Sequence, residues 1–250
     1  MIVLKSDSQL KRMQEACKIS ARALKLAGEA VEPGVTTAQL DDIVRKYIEG
    51  CGAKPSFLGL YGFPASACIS VNNEVIHGIP SKKRVIHEGD IVSIDTGAFY
   101  KGYHGDNAAT FAAGRVSDEA RRLMDVTRQS LYEGIKAANA GGRIGDISSA
   151  VQRYAEASSY SVVREYVGHG VGASLHEDPS VPNFGTPSRG VRLVKGMTIA
   201  IEPMINQGAK EVQVGPNGWT VTTKDGSLSA HFEHTVAITE SGAVIMTLPD

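Results

Sequence analysis

Cysteine and unbalanced charge are scarce in this sequence of 250 residues. Its three cysteines, Cys17, Cys51 and Cys68, are scattered and form no CxxC pair. We therefore expect neither a disulfide framework nor a cysteine-type zinc site. The formal net charge is −1, which excludes a strongly basic nucleic-acid surface or a polybasic membrane patch as the basis of function.

Long apolar runs are also missing. No stretch approaches the roughly 20 apolar residues that a membrane-spanning helix needs. The opening MIVLKSDSQLKRM has one short apolar run that Lys5 interrupts, so it lacks the apolar core of a signal peptide. We expect a soluble, cytoplasmic protein with no membrane partner.

An internal repeat relates two parts of the chain. Residues 34–49 resemble residues 141–156, and residues 88–95 resemble residues 195–202. Both pairs of segments are separated by 107 residues, as Gly34 and Gly141 show for the first pair and Asp95 and Glu202 for the second. One offset that holds without gaps predicts two related halves. It also predicts that Asp95 and Glu202 meet where the halves join, a common place for small-molecule sites.

The apolar patterns predict helices in pairs and strands in runs. The first helix should be capped within residues 6–8, the second by Thr36 or Thr37 and the third by Ser117, while Ile144 lies in the fourth. This order favours an α+β fold with a mainly antiparallel sheet and one domain over residues 1–250. The predicted strands cover residues 67–71, 91–100, 107–111, 198–205, 219–223, 228–239 and 243–247.

Four carboxylates lie beside apolar strand residues: Asp95, Asp106, Glu202 and Glu233. Taken singly, each could be an exposed acid at the end of a strand. Together they could not all be buried in ionised form without a counter-charge. Two divalent cations would balance four negative charges, and oxygen ligands with an imidazole suit Mn, Fe, Co or Zn.

Three histidines are candidates for chemistry, although a lone histidine more often only makes hydrogen bonds. His169 is flanked by glycines in GHGVG, which leaves room for a metal or ligand. The other two are His176 in SLHEDP and His77 in NEVIHGIP. His87 and His104 lie in polar segments, and we expect both at the surface. The GHGVGA segment fits a loose dinucleotide fingerprint, but the prolines that follow prevent the helix which that motif requires.

The five candidate ligands resemble, in their contexts IDTG, YHGDNA, GHGVG, IEPM and HFEHT, those of the methionine aminopeptidases. The resemblance runs from about Leu10 to the C-terminus. It implies the pita-bread fold, with two pseudo-symmetric halves and a curved, mainly antiparallel sheet covered by helices. Only 31 residues separate Glu202 from Glu233, so the chain resembles the short bacterial type I enzymes rather than type II.

The resemblance implies that the chain hydrolyses the initiator methionine from nascent polypeptides when the second residue is small. Asp95 and Asp106 would hold one of two divalent ions, His169 and Glu202 the other, and Glu233 would bridge both. Glu202 would also move a proton.

His77 and His176 would contact the scissile peptide and the developing charge. The methionine side chain would enter an apolar pocket, which suits a thioether. The expected lining is Phe63, Cys68 and Trp219, with Phe57, Leu60 and Leu175 as further walls, and Cys68 is expected to be buried rather than nucleophilic.

Some positions depart from the family's usual pattern. Gly97 stands where Ser or Thr is common, and a lost hydroxyl could loosen the surroundings of Asp95. His231 replaces a more usual glutamine and could hydrogen-bond Glu233 or add sensitivity to pH. Leu60 and Leu175 stand where larger aromatic residues are common, which could widen the pocket.

Two alternatives stay open at this point. A proline-specific peptidase such as a prolidase shares the fold but usually carries a further N-terminal domain. A non-enzymatic binding protein on the same fold would have lost several of the five ligands, and all five are present. The expected partners are the N-termini of nascent polypeptides and the ribosome, and we expect a monomer with no nucleic-acid site.

Overall fold

Four helices form the outer layer in the computed structural model, which describes residues 1–249. They are α1 (Asp7–Glu29), α2 (Thr37–Gly50), α3 (Asp118–Ala137) and α4 (Ile144–Ala157). The side chain of Ser6 accepts from Gln9 N at the start of α1, and Thr36 does the same for Gln39 N at α2. These caps satisfy amides that have no partner within the helix, so each helix begins where the sequence predicts.

Within residues 1–249 the structure also contains fifteen strands and one short 3₁₀ turn, Leu60–Gly62. The strands are β1 (Lys54–Pro55), β2 (Ala67–Val71), β3 (Glu74–Ile76), β4 (Ile91–Tyr100), β5 (Tyr103–Ala112), β6 (Ser161–Val162), β7 (Gly168–Gly170), β8 (Glu177–Val181), β9 (Thr198–Ile201), β10 (Met204–Asn206), β11 (Val212–Val214), β12 (Val221–Thr223), β13 (Ser229–His231), β14 (Glu233–Thr239) and β15 (Gly242–Ile245).

Nine of the strands form one curved, antiparallel sheet. Its main order is β1-β4-β5-β14-β9-β7-β8, with β2 added on β4 and β15 on β14. The β4–β5 hairpin is paired from Ile91↔Ala112 to Tyr100↔Tyr103. By contrast, β5 and β14 are joined by only two residue pairs, Glu233↔Ala108 and His234↔Asn107. The long hairpin is therefore connected to the rest of the sheet through a short ladder.

The two halves of the chain repeat the same elements. Helices α2 and α4 both contain 14 residues and begin 107 residues apart, as do strands β4 and β9. Leu40 and Val44 of α2 are buried in a core with β2 and β4, and Ile147 and Val151 of α4 occupy the matching positions in a second core. These features confirm the expected α+β fold with a mainly antiparallel sheet and helices outside it.

Two predicted strands are interrupted in the structure. The predicted strand 198–205 ends at Ile201 and resumes at Met204, because Pro203 has no amide hydrogen for a sheet ladder. The predicted strand 228–239 breaks at Phe232, whose amide instead donates to Pro203 O at 3.3 Å. Each break lies beside one of the candidate ligands, Glu202 or Glu233.

Within residues 1–249, none of the helices combines the length and the apolar character that crossing a membrane requires.

Candidate metal centre and substrate cavity

Five neighbouring strands each bring one candidate ligand to the centre of the large sheet. Asp95 lies on β4, Asp106 on β5, Glu233 at the start of β14, Glu202 directly after β9, and His169 on β7. Strands β4 and β5 come from the first half of the chain and the others from the second. The structure therefore brings together all five residues that the sequence singles out, at the junction of the halves.

The strand register places three of the carboxylates on one face. Asp95 on one side and Glu233 on the other both pair with Ala108 of β5. Paired residues point to the same face of a sheet, and so does Asp106, two residues before Ala108. The methyl group of Ala108 is small, which leaves space between the carboxylates. One ligand atom each from Asp106, His169 and Glu233 lie within 4.8 Å of one another.

The imidazole of His169 has a fixed orientation. Its Nδ1 is 2.8 Å from Gly170 O, and since a carbonyl only accepts, Nδ1 carries the hydrogen. The unprotonated Nε2 then faces Glu202 Oε1 at 3.4 Å and Asp106 Oδ2 at 3.7 Å. A neutral Nε2 and two carboxylates direct lone pairs at the same space, which is the arrangement of groups that share a cation.

Burial raises the pKa of every carboxyl group at this centre. It raises the pKa of Asp106 to about 7, and it raises the pKa values of Asp95, Glu202 and Glu233 well above their usual range, with mutual repulsion adding to the effect. Buried oxygens of three of these groups, Asp95 Oδ1, Asp106 Oδ1 and Glu233 Oε1, make no hydrogen bond. Unpartnered buried oxygens beside an oriented imidazole fit a divalent cation.

An apolar cavity of about 370 Å³ opens beside this centre. Phe63 and Trp219 meet there edge to face, with ring centroids 5.2 Å apart. Cys68 is buried, and its β2 position pairs with Asp95 of β4, so the apolar wall and the ligand cluster are continuous. All six predicted pocket residues line the cavity: Phe57, Leu60, Phe63, Cys68, Leu175 and Trp219.

His77 and His176 also line the cavity. The ring of His176 lies 4.4 Å from that of His169, at an angle of 85°. Burial lowers the pKa of His77 to about 4, and the neighbouring His176 adds to this effect; burial also lowers the pKa of His176. Both imidazoles are therefore neutral near pH 7, and each has one N–H to donate to a ligand.

Two aromatic residues at the cavity were missed by the sequence reasoning. The ring of Tyr61 stacks on that of His176, with centroids 6.1 Å apart, and Tyr166 meets His77 edge to face at 5.8 Å. Tyr61 is on the 3₁₀ turn with a φ of 51°, a left-handed conformation. Only its position between Leu60 and Phe63, both predicted to line the pocket, could have suggested a role for Tyr61.

The prediction of a surface position is confirmed for the exposed His87 but wrong for His104. His104 is on strand β5, half-buried, with its Nδ1 2.9 Å from Ser56 Oγ. The β4–β5 hairpin continues further than the apolar pattern indicated and takes His104 into the sheet. Burial there lowers the pKa of His104 to about 4.

The structure shows what surrounds Gly97 and His231, two of the departures from the family pattern. A Cβ at Gly97 would lie 2.8 Å from Ser56 Cβ, so Ser56 fills the space that a larger residue would occupy. His231 is buried and is the last residue of β13, and the strand break at Phe232 separates it from Glu233. Within residues 1–249, its Nε2 makes no hydrogen bond and lies 3.8 Å from Glu202 Oε2, so this nitrogen faces Glu202 rather than Glu233.

Comparison with known proteins gives consistent matches. Residues 11–240 match metallopeptidase family M24. The methionine aminopeptidase of Clostridium acetobutylicum is 52% identical over 248 residues, which cover 99% of each chain. The crystal structure of methionine aminopeptidase from Thermotoga maritima superposes with a TM-score of 0.97 at 46% identity, again over 99% of each chain. Prolidase from Pyrococcus furiosus gives a TM-score of 0.80 at 25% identity, and the match covers 66% of that longer chain.

Proposed function

This chain belongs to metallopeptidase family M24, and from that premise we propose that it is a methionine aminopeptidase that removes the N-terminal methionine of polypeptides whose second residue is small. The higher identity to methionine aminopeptidases, 52% and 46% against 25% for a prolidase, supports this function over that of a prolidase. We also propose that residues 1–250 act as one peptidase domain.

The observation that carries the proposal is the position of the ligand cluster at the end of an apolar cavity. Asp95, Asp106, His169, Glu202 and Glu233 all line the cavity that Phe63 and Trp219 wall. A methionine side chain held among the apolar residues would place the adjoining peptide bond beside the cluster. The buried oxygens without partners supply the negative charge that a cation site requires.

We propose that the five side chains hold two divalent metal ions, with Glu233 contacting both. Bound divalent ions supply Lewis acidity, which polarises the scissile carbonyl group and lowers the pKa of water. Mn, Fe, Co and Zn are all compatible with four carboxylates and one imidazole. The oxygen-rich ligand set sets this site apart from structural zinc sites, which favour sulfur.

The remaining chemistry belongs to residues of the chain. Glu202 lines the cavity beside His169 and would accept the proton of the attacking water at one Oε and later return it to the leaving amine. Neutral His77 and His176 would each donate an N–H to the scissile peptide and stabilise the charge on its oxygen. The free α-amino group of the substrate would lie beside Asp95, which restricts cleavage to the first peptide bond.

The methionine side chain would fill the space between Phe63, Cys68 and Trp219, with Phe57, Leu60 and Leu175 completing the wall. A flexible thioether packs well against aromatic rings, which favours methionine over branched residues. The proposed partners are N-termini of nascent polypeptides at the ribosome. We further propose that the protein works as a cytoplasmic monomer.

An assay on peptides tests the proposal directly. The protein is treated with a chelator, and Mn, Fe, Co and Zn are added back one at a time. Hydrolysis of Met-Ala-Ser, lost on chelation and restored by at least one metal, supports the proposed function. Hydrolysis of an Xaa-Pro dipeptide in its place would support a prolidase, and metal binding without hydrolysis of either peptide would support a binding protein.

A pair of matched variants connects the activity to the cluster. Asp106→Asn should abolish hydrolysis of Met-Ala-Ser, because it removes a ligand with little change of shape. Asp125→Asn changes an acid that is 57% exposed on α3 and should leave the activity unchanged. Full activity of metal-reconstituted Asp106→Asn would contradict the ligand assignment.

A further inference from the structure

A buried ion pair lies behind the turn that carries His176. Lys5 Nζ is 2.7 Å from Glu177 Oε2, and the two side chains are 3% and 11% exposed. Ion pairs elsewhere, such as Lys101 with Glu15, are about half exposed. A buried lysine is rare, and each charge of such a pair is costly if the other is removed. The pair is therefore a fixed structural connection rather than a surface contact.

The side chain of Glu177 folds back onto its own turn, residues 172–177, which we call the His176 turn. Its Oε1 accepts from Ser174 N at 3.1 Å. A Cβ at Gly172 would lie 2.4 Å from the same oxygen, so only glycine allows the carboxylate to lie against the backbone here. One carboxylate thus contacts Lys5 and, across Leu175 and His176, the backbone at Gly172 and Ser174.

Lys5 and the His176 turn each make a further backbone hydrogen bond to a segment that leads to a candidate ligand. Lys5 N donates to Gly196 O at 2.8 Å, in the turn that leads into β9 and Glu202. His104 N donates to Gly172 O at 2.8 Å, two residues before Asp106 on β5. The His176 turn is held between the two halves of the ligand cluster.

We propose that Lys5 is a positioning residue for His176 and acts through the carboxylate of Glu177. The inference rests on the proposed function, in which His176 donates to the scissile peptide. Without the ammonium group, the Glu177 carboxylate would be buried and uncompensated, and it would turn toward water and take the His176 turn with it. A displacement of about 1 Å in a group that contacts the reacting atoms can lower the rate about 100-fold.

The test compares Lys5→Met, Glu177→Gln and the double variant Lys5→Met/Glu177→Gln, each loaded with metal, with the matched control Lys101→Met. Methionine keeps the length and apolar character of the lysine stem, and glutamine keeps the acceptor for Ser174 N. The measurements are kcat and KM on Met-Ala-Ser, metal affinity by calorimetry, and the His176 ring signals in the NMR spectrum of the chelated protein. The ring signals are assigned by comparison with His176→Asn.

Lys5→Met should lower kcat about tenfold or more with little change in KM or metal affinity, and it should shift the His176 ring signals. Lys101→Met should change none of these. The double variant contains no unpaired buried charge and should fold well. Its kcat should nevertheless stay low, because the bond that links the His176 turn to Lys5, and through Lys5 N to Gly196, is missing. Should Lys5→Met fail to fold, the kcat of the double variant alone tests the positioning role of Lys5.

Wild-type kcat in the double variant, or unshifted His176 signals in a folded Lys5→Met protein, would overturn the positioning role. A wild-type protein that does not cleave Met-Ala-Ser with any metal would instead refute the proposed function.

Discussion

The substitution Asp106→Asn should stabilise the metal-free protein near pH 8 while it abolishes activity. Burial raises the pKa of Asp106 to about 7 from a usual value near 4, a difference of about three units. Each unit corresponds to about 1.4 kcal/mol, so ionised Asp106 costs the folded state about 4 kcal/mol at most. Asparagine keeps the shape and has no charge to bury.

The sign of the pH dependence follows from the raised pKa. Between about pH 4 and pH 7 the folded state holds a proton on Asp106 that the unfolded state has released. The contribution of Asp106 to the free energy of unfolding is therefore fully present below about pH 4 and is lost as the pH rises through about 7. The difference between variant and wild type should therefore grow across this range. Burial lowers the pKa of His169 and other histidines and has the opposite effect, but this is common to both proteins.

Urea unfolding followed by circular dichroism, with chelator present at pH 5 and pH 8, measures the difference. Asp125→Asn serves as the control, and its free energy of unfolding should match that of the wild type at both pH values. An Asp106→Asn protein no more stable than the wild type at pH 8 would refute the reasoning that burial disfavours the charge on this carboxylate. Saturating metal should reverse the order, since a ligand at 1,000 times its Kd stabilises the protein that binds it by about 4 kcal/mol.

Three further outcomes are expected. His176→Ala should lower kcat on Met-Ala-Ser about 100-fold with metal affinity unchanged, because we propose that this imidazole contacts the substrate and not the metal. Loss of metal binding in calorimetry would show that His176 is a ligand. Met-Trp peptides should be cleaved far more slowly than Met-Ala peptides, and equal kcat/KM values would contradict a narrow site. Gly105→Ala should lower the free energy of unfolding by about 2 kcal/mol or more in a urea titration, because the new Cβ would lie 2.4 Å from Cys17 Cα. Gly50→Ala, with open space around the new Cβ, should not lower it. Equal unfolding midpoints for the two variants would disprove close packing at Gly105.

Local patterns were sufficient to predict most of the fold. The apolar run of β4 matches the observed strand at both ends, because this strand is central and buried along most of its length. The caps Ser6, Thr36 and Ser117 mark helix starts, since they satisfy backbone amides within four residues. The interruptions at Pro203 and Phe232 were not foreseen, because a run of apolar residues does not show where a ladder loses a partner.

The candidate site was predictable where its residues share a local context with a known family, and less so where long-range packing decides. The five candidate ligands could be singled out from short motifs, and the 107-residue offset pairs Asp95 with Glu202. Nothing near Lys5 in the sequence indicates Glu177, because 172 residues separate them and only the fold brings them together. The same is true of Tyr61 against His176, and of His104, whose burial depends on how far its hairpin extends.

The short ladder between β5 and β14 gives the metal centre a mechanical consequence. The backbone ladder between these strands has two pairs, at Ala108 and Asn107, and Thr235 Oγ1 adds a side-chain bond to Asp106 O at 2.7 Å. The candidate ligands Asp106 and Glu233 lie on opposite sides of that joint. An ion that binds both residues would connect β5 to β14 beside this two-pair ladder. On this view cofactor loss would loosen the joint first, and the long hairpin would exchange its amide hydrogens as a separate unit before the rest of the sheet opens.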